Sequence, residues 1–344
     1  MKRRRVLLMV HEALVPPADL AGLSEAAIEE CRTEYNVLSV LQHLGHGVRV
    51  VGVGDRLTEL REAMRDWRPH VVFNLLEEFY GIVSYDHYVV AYLELMRQPY
   101  TGCNPRGMMI SRDKVLTKQV LASHRIPTPR FQLFPVGQRF REPRRLSFPL
   151  FVKSATDDAS LGISQASVVE DMARLRERVE FIHEQTRSDA LVEEYIDGRE
   201  LYVGVLGNER LTALPAWELD FGTLPQAQSG IATRKVKWDP AYQAKHGIAT
   251  GPARDLTAAQ EEGLRKLAKR IYRALHMSGY ARMDLRMRAD GSLFVLEANA
   301  NPNLTFGEDF AESAEAVGIS YEALLTRIVS LGLAYRPEWR LFES

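Results

Sequence analysis

Tyr280-Ala281-Arg282-Met283-Asp284-Leu285 and Leu293-Phe294-Val295-Leu296-Glu297-Ala298-Asn299 read as the two arms of one hairpin closed at Asp290-Gly291. Polar and apolar residues alternate, so Arg282, Asp284 and Arg286 share one strand face while Met283, Leu285 and Met287 share the other. An Asp-Gly pair is the preferred two-residue turn because both positions tolerate positive φ, and that turn sets Asp284 opposite Glu297 and Arg282 opposite Asn299. Directly opposed carboxylates repel in a bare sheet, so the pair makes most sense with a divalent cation between the two. The oxygen donors of Asp284, Glu297 and Asn299 suit hard Mg²⁺, which takes few protein ligands and completes its shell with waters and phosphate oxygens. Arg282 would face the same anion, which points to magnesium-nucleotide chemistry. The plain alternative is an edge hairpin with a solvated acidic face, or a bulge that shifts the register and separates the pair. The second arm is apolar on both faces up to Glu297, as in a covered strand, and this weighs against that alternative.

The rest of the chain bounds the setting. Its 344 residues are too many for one ordinary core and suggest two or three domains. Hydrophobic content of 46% and charged content of 26% are those of an ordinary globular protein, and a net charge of −1 gives no general attraction for nucleic acid. The Lys2 to Arg5 run precedes an apolar stretch, Val6 to Val10, too short for a signal-peptide core or a membrane span. Cys31 and Cys103 lack metal-type spacing and the nine histidines show no paired metal signature, so a reducing cytoplasm is the expected location.

Strand and helix signals alternate through the first third. Val6–Val10, Val48–Val53 and Val71–Leu75 read as strands, and residues 24–44, 57–67 and 85–96 as helices. That is the rhythm of an open, mainly parallel sheet, whose ligands bind beyond the carboxyl ends of the strands, near Asn74, Glu77, Glu78 and Tyr80. After a helix from Asp113 to His124, the stretch Ile126-Pro127-Thr128-Pro129 reads as a stiff joint. Phe148 to Lys153 then forms a strand ending in lysine, followed by the small, polar loop 154–163, suited to close approach of backbone N–H groups to a polyphosphate. A helix over 168–184, a strand over 190–196 and two further strands around Gly207-Asn208 follow. Residues 221–250 show little periodicity and carry Arg234, Lys235 and Lys237, as a lid would. Thr257-Ala258-Ala259-Gln260 opens a helix with Leu264, Leu267, Ala268, Ile271 and Leu275 on one face, a core stripe.

Taken in order, the strand-lysine-loop, Val192-Glu193-Glu194-Tyr195-Ile196, the basic lid and the hairpin resemble the ATP-grasp superfamily. More narrowly the chain resembles D-alanine–D-alanine ligases, through Leu93-Glu94-Leu95-Met96, Pro99-Tyr100-Thr101-Gly102, Asp113-Lys114, Tyr280 to Asp284 and Leu296 to Asn299. The likeness is weak in the first third and good from Lys114 to Leu331. It implies an α/β and α+β chain with the ATP-grasp fold: an N-terminal open parallel-sheet domain over 1–110, a central lobe over 111–187 and a C-terminal lobe over 188–344 with its lid at about 221–250, the two lobes clasping ATP. By the same resemblance Lys114, Lys153 and Ser160 hold phosphates, Glu193, Tyr195 and Ile196 line the adenine hinge, and Glu200 grips the ribose. Lys237, with Lys235 close by, reaches the γ-phosphate; Arg282 lies beside the reacting phosphoryl group; Asp284, Glu297 and Asn299 hold Mg²⁺, for which Mn²⁺ could stand in. A homodimer is also implied.

Departures from the family pattern bear on the substrate. The first strand-helix turn reads Val10-His11-Glu12-Ala13-Leu14-Val15-Pro16-Pro17 in place of a glycine-rich motif ending in Glu, and Phe79-Tyr80-Gly81-Ile82 replaces a His-Gly motif with its Glu-Asp-Gly. The phosphate-loop Ser pair is Ala159-Ser160, the lid tyrosine is Trp238, and Asn301-Pro302-Asn303-Leu304-Thr305-Phe306 replaces Ser-Pro-Gly-Met-Thr-Ser. ATP and metal positions persist while those for two D-alanines do not. The expectation is an ATP- and Mg²⁺-dependent carboxylate–amine ligase acting through an acyl phosphate on amino acid or peptide-like substrates. Its alternatives are an authentic D-alanine–D-alanine ligase and a catalytically silent ATP-binding protein.

Overall fold

The computed structural model describes residues 2–19, 22, 24–156, 163–224 and 230–342. Strands β1 (Arg5–His11), β2 (Gly47–Val53) and β3 (Val71–Asn74) form a parallel sheet in the order β2-β1-β3. β1 needs no polar residue between Val6 and Val10 because both of its faces are covered: Leu7 and Met9 enter one core, Val6, Leu8 and Val10 another. The helix expected over 24–44 is two, α1 (Glu25–Glu30) and α2 (Arg32–His43), broken where Cys31 leaves helical dihedrals at φ −107°, ψ 17°. α3 (Thr58–Trp67) and α4 (Asp86–Leu95) lie as expected. α5 (Pro105–Arg112) was not anticipated, although Asn104 accepts from Gly107 N and Pro105 opens the first turn, an ordinary helix start. α6 (Lys114–Ser123) follows, capped by Asp113.

A second, antiparallel sheet holds β4 (Phe131–Phe134), β5 (Leu150–Ser154), β6 (Val168–Val169) and β7 (Ala190–Glu194) in the order β4-β7-β5-β6, covered by α7 (Met172–Thr186). Val152, Val192, Leu175, Val179 and Ile182 give it a core of its own. Asp171 caps α7, so that helix starts later than the expected Val168. Because β7 pairs with both β4 and β5, the sheet reaches Glu194, past residue 187 where the central lobe was expected to end.

The third sheet is antiparallel, with β8 (Arg199–Leu206), β9 (Thr212–Asp220), β10 (Ala249–Pro252), β11 (Tyr280–Met287) and β12 (Leu293–Ala300) in the order β10-β9-β8-β11-β12. The span expected to be irregular contains α8 (Arg234–Trp238) and α9 (Pro240–His246), capped by Thr233 and Asp239. The stripe of α10 (Ala258–Ala274) is buried as anticipated, and its Thr257–Gln260 capping box is formed. After α11 (Asp309–Glu315), α12 (Tyr321–Ala334) returns to pack on α2 and β3. No helix among the described residues is long and apolar enough to cross a membrane.

The decisive hairpin forms with a different turn. Met287 pairs with Leu293, Arg288 N donates to Ser292 O at 3.0 Å and Gly291 N to Arg288 O at 2.9 Å, so Ala289, Asp290 and Gly291 make a three-residue loop with Gly291 at φ +81°. That loop alone would displace every later pair by one residue. A bulge at Leu296, between the pairs Leu285↔Val295 and Asp284↔Glu297, cancels the displacement. The bulge also explains why Val295 and Ala298, three residues apart, both enter the core.

One crossing fixes the loop after β12. Gly102 (φ +94°) leaves room for Asn301, whose Oδ1 accepts from Cys103 N at 2.7 Å. A Cβ at Gly102 would collide with that oxygen; one at Gly279 would strike Gly102 O, and one at Gly332 would strike Tyr100 O.

Candidate active site

The outer face of β11 and β12 is the floor of the site. Asp284 lies opposite Glu297, and Arg282 opposite Asn299. Arg282 grips Asp284 with two hydrogen bonds, Nε to Oδ1 at 2.8 Å and NH2 to Oδ2 at 3.0 Å, and stacks over the Tyr202 ring at 4.8 Å. Burial raises the Asp284 carboxyl from its ordinary value while Arg282 pulls it back. Glu297 behaves oppositely: against burial, which would raise it, Lys114, Lys153 and Lys237 pull it down to about 2. Of these only Lys114 touches it, Nζ to Oε1 at 3.1 Å. Glu297 is thus a fixed anion in a field of three converging lysines.

The second sheet supplies the opposite wall. Lys153 at the end of β5 and Lys118 on α6 both meet Glu193 Oε1, at 3.4 and 2.9 Å, and all three side chains are buried. Against the cost of burial, Lys118 and then Lys153 hold Glu193 below the usual carboxylate range. A third group closes the side nearest the lid. Glu200 accepts from Arg286 NH2 at 2.5 Å and from the Tyr202 hydroxyl at 2.9 Å, with Lys237 Nζ at 3.9 Å. Burial would raise Glu200, but Arg286 and Lys237 keep it low. Arg286 also donates to Ile196 O at 3.3 Å and Gly230 O at 3.0 Å, and the Tyr195 hydroxyl donates to the same Gly230 carbonyl.

The structure therefore brings Lys114, Lys153, Glu193, Tyr195, Ile196, Glu200, Lys237, Arg282, Asp284, Glu297 and Asn299 into one neighbourhood where the second and third sheets meet. Ser160 lies outside the described residues. Lys237 turns inward to Glu200 and Tyr202 whereas Lys235 is exposed, which separates two lysines the sequence left equivalent. Lys118 and the structural part played by Arg286 were not anticipated. Lys118 sits four residues after Lys114, on the same helix face, and Arg286 continues the alternation of Arg282 and Asp284, so both signals were present.

Asp284, Glu297 and Asn299 fit a hard cation: all donate oxygen, two are paired across adjacent strands, and three lysines favour the charged form of the half-buried Glu297. Among the described residues no three His, Cys, Asp or Glu side chains cluster to make a metal site without such an amide. At the carboxyl ends of the first sheet, Asn74 is buried, Tyr80 exposed, and Glu78 Oε1 lies 3.3 Å from His11 Nε2.

Two antiparallel sheets, one bringing lysines and the other an acidic hairpin to the same neighbourhood, are the frame of an ATP-grasp ligase. The chain belongs to the D-alanine–D-alanine ligase family: the family's sequence profile, described as D-ala D-ala ligase C-terminus, matches residues 120–330. It is 33% identical over 306 residues to the uncharacterized protein y4sG of Sinorhizobium fredii, covering 86% of each chain. To the D-alanine–D-alanine ligase of Pelotomaculum thermopropionicum it is 29% identical, over 90% of this chain and 92% of that one. In fold it is similar to the D-alanine–D-alanine ligase from Bacillus anthracis complexed with ATP, at a TM-score of 0.73 and 22% identity, covering 99% of this chain and 100% of that one.

Proposed function

We propose that the protein is an ATP- and Mg²⁺-dependent ligase that joins a carboxylate to an amine through an acyl phosphate, and that its substrates are not a pair of D-alanines. The observation carrying this reading is the pairing of Glu297 with Asp284 across β11 and β12, with Lys114 Nζ 3.1 Å from Glu297 Oε1 and Lys153 and Lys237 near enough to favour its charged form. Lys114, Lys153 and Lys237 bind the phosphates, while Glu193, Tyr195, Ile196 and Glu200 line the place for the nucleoside. Mg²⁺ held by Asp284, Glu297 and Asn299 would neutralise charge developing on the transferred phosphoryl group. Arg282, fixed by its two bonds to Asp284 and with NH1 4.0 Å from Asp309 Oδ2, is the cation that would stabilise the oxyanion formed when the amine attacks the acyl phosphate. No protein nucleophile is required. The lid around α8 and α9 excludes water, which would otherwise hydrolyse the acyl phosphate.

The amine substrate follows from residues beyond the hairpin. Asn303 occupies a position where the family has glycine, and its Oδ1 accepts from Thr305 N at 2.8 Å and Thr33 Oγ1 at 3.1 Å. Glu308, at the start of α11, has its carboxyl raised by burial and then by Asp309 beside it. Two acidic groups there would repel an acceptor bearing its own free carboxylate, so the favoured amine is amino acid- or peptide-like with that group absent or masked. Cys31 and Cys103, both free and buried, support a reducing cytoplasm as the setting.

The test is ADP release with Mg²⁺ and ATP across pools of carboxylates and amines. Turnover should require both pools, and Lys153→Ala and Glu297→Ala should each lower it by about 10²-fold or more. Abundant ADP and dipeptide from D-alanine alone would overturn the substrate reading; no ADP from any pool, unchanged by either variant, would overturn the ligase reading.

A further inference from the structure

Lys118 takes no role in the chemistry described above, yet it is more deeply buried than Lys153, with side-chain exposures of 2% and 10%. Its ammonium lies 2.9 Å from Glu193 Oε1, and Lys153 meets the same oxygen at 3.4 Å. One buried carboxylate therefore holds two cations on one atom. Either lysine alone would compensate Glu193, and removing both would leave a buried charge without a partner, which is costly. The longer contact and greater exposure belong to Lys153, the last residue but one of β5. The shorter contact belongs to a helical residue whose position is set by α6, the helix that also places Lys114 on Glu297.

We infer that Lys118 is a positioning residue: it is the resident counter-ion of Glu193, and its presence allows Lys153 to leave that carboxylate for the phosphates of the nucleotide. The inference rests on the nucleotide reading of the site. Without Lys118, Glu193 and the phosphates compete for Lys153, so nucleotide binding is weakened through its phosphates and not through its base. A lysine that merely filled space under α6 would show no such dependence on the charge of Glu193.

Binding of Mg²⁺ with the non-hydrolysable analogue AMP-PNP, and of adenosine, is measured by calorimetry on the full chain. Lys118→Met should weaken AMP-PNP by about tenfold or more, leave adenosine within about threefold, and be rescued by Lys118→Arg, which keeps the charge. In a Glu193→Gln background the same Lys118→Met change should alter AMP-PNP affinity by less than about threefold, because no buried anion is left to retain Lys153. Where the single variant fails to fold, a loss of about tenfold or more on adding Lys118→Met to Glu193→Gln still overturns the inference. An equal loss in both backgrounds, or an unchanged affinity in Lys118→Met alone, overturns the inference. A native chain that binds adenosine but not AMP-PNP overturns the phosphate reading of the site instead.

Discussion

Arg286 shows how the site's charges also hold the protein together. Its guanidinium is buried against Glu200 and three backbone carbonyls, those of Ile196, Gly198 and Gly230, tying β11 to β8 and to the segment at Gly230. Arg286→Ala should cost about 3–5 kcal/mol in urea denaturation, since it leaves a buried carboxylate with the Tyr202 hydroxyl and only the longer Lys237 contact for its charge. Combining it with Glu200→Gln should recover much of that loss; an Arg286→Ala variant as stable as the native chain would mean that Lys237 already suffices. At this scale most of the site was legible. Lysines, acids and an arginine at strand spacing announce themselves because buried charge needs a stated reason. What the sequence concealed was pairing: nothing in Glu193 itself says that two lysines, one on a helix 75 residues earlier, end on the same oxygen atom.

Elements were legible wherever a periodic apolar face met a clear cap, as in α10 with its Thr257–Gln260 box. They were hidden where local chemistry was sound but periodicity short: α5, α8 and α9 are eight residues or fewer, too brief to display a stripe, although Asn104, Thr233 and Asp239 marked their starts. The hairpin is more instructive, because the expected pairing of Asp284 with Glu297 arose from two departures that cancel, a longer turn and a bulge. Register is set by the sum of such irregularities, which a turn dipeptide alone cannot supply. The crossing at Gly102 makes its own prediction. Gly102→Ala would both force a side chain into the left-handed region and drive a methyl group against Asn301 Oδ1. A loss of about 1–3 kcal/mol is expected, read as a lowered melting temperature, with a weakened response of that temperature to Mg²⁺ and ATP because Asn301 lies two residues from Asn299.

Across the whole molecule, the first and third sheets do not own separate cores: residues of β1, β8, β11 and α10 share one cluster, and β1, α2, α11 and α12 share another. Unfolding of these parts should therefore be cooperative, and one buried group adds a pH dependence of its own at neutral pH. Glu34 on α2 has its carboxyl pushed up to about 7, by burial first and by Glu77 second, from an ordinary 4.5. Between those values the folded chain keeps a proton that the unfolded chain has released. This stabilising contribution is whole below about pH 4.5, falls as pH rises toward 7 and is absent above it. Glu34→Gln should flatten that fall and add about 2 kcal/mol at pH 8. Melting temperatures of the two proteins from pH 4 to 8 check this, and parallel curves would refute it.

The glycines at 102, 279 and 332 carry a mechanical consequence. At Gly279 and Gly332 main chain meets main chain directly, and at Gly102 only the hydrogen-bonded Asn301 amide intervenes, so the strands and helices joined there form a tightly packed frame. The four-stranded sheet is held to this frame through the Lys118–Glu193 ion pair and the hydrogen bond from Val295 N to Pro127 O, contacts that can stretch or be exchanged. Hydrogen exchange should therefore be slower in the acidic hairpin, which the frame holds, than in the sheet carrying Lys153, which joins it past Pro127 and Pro129.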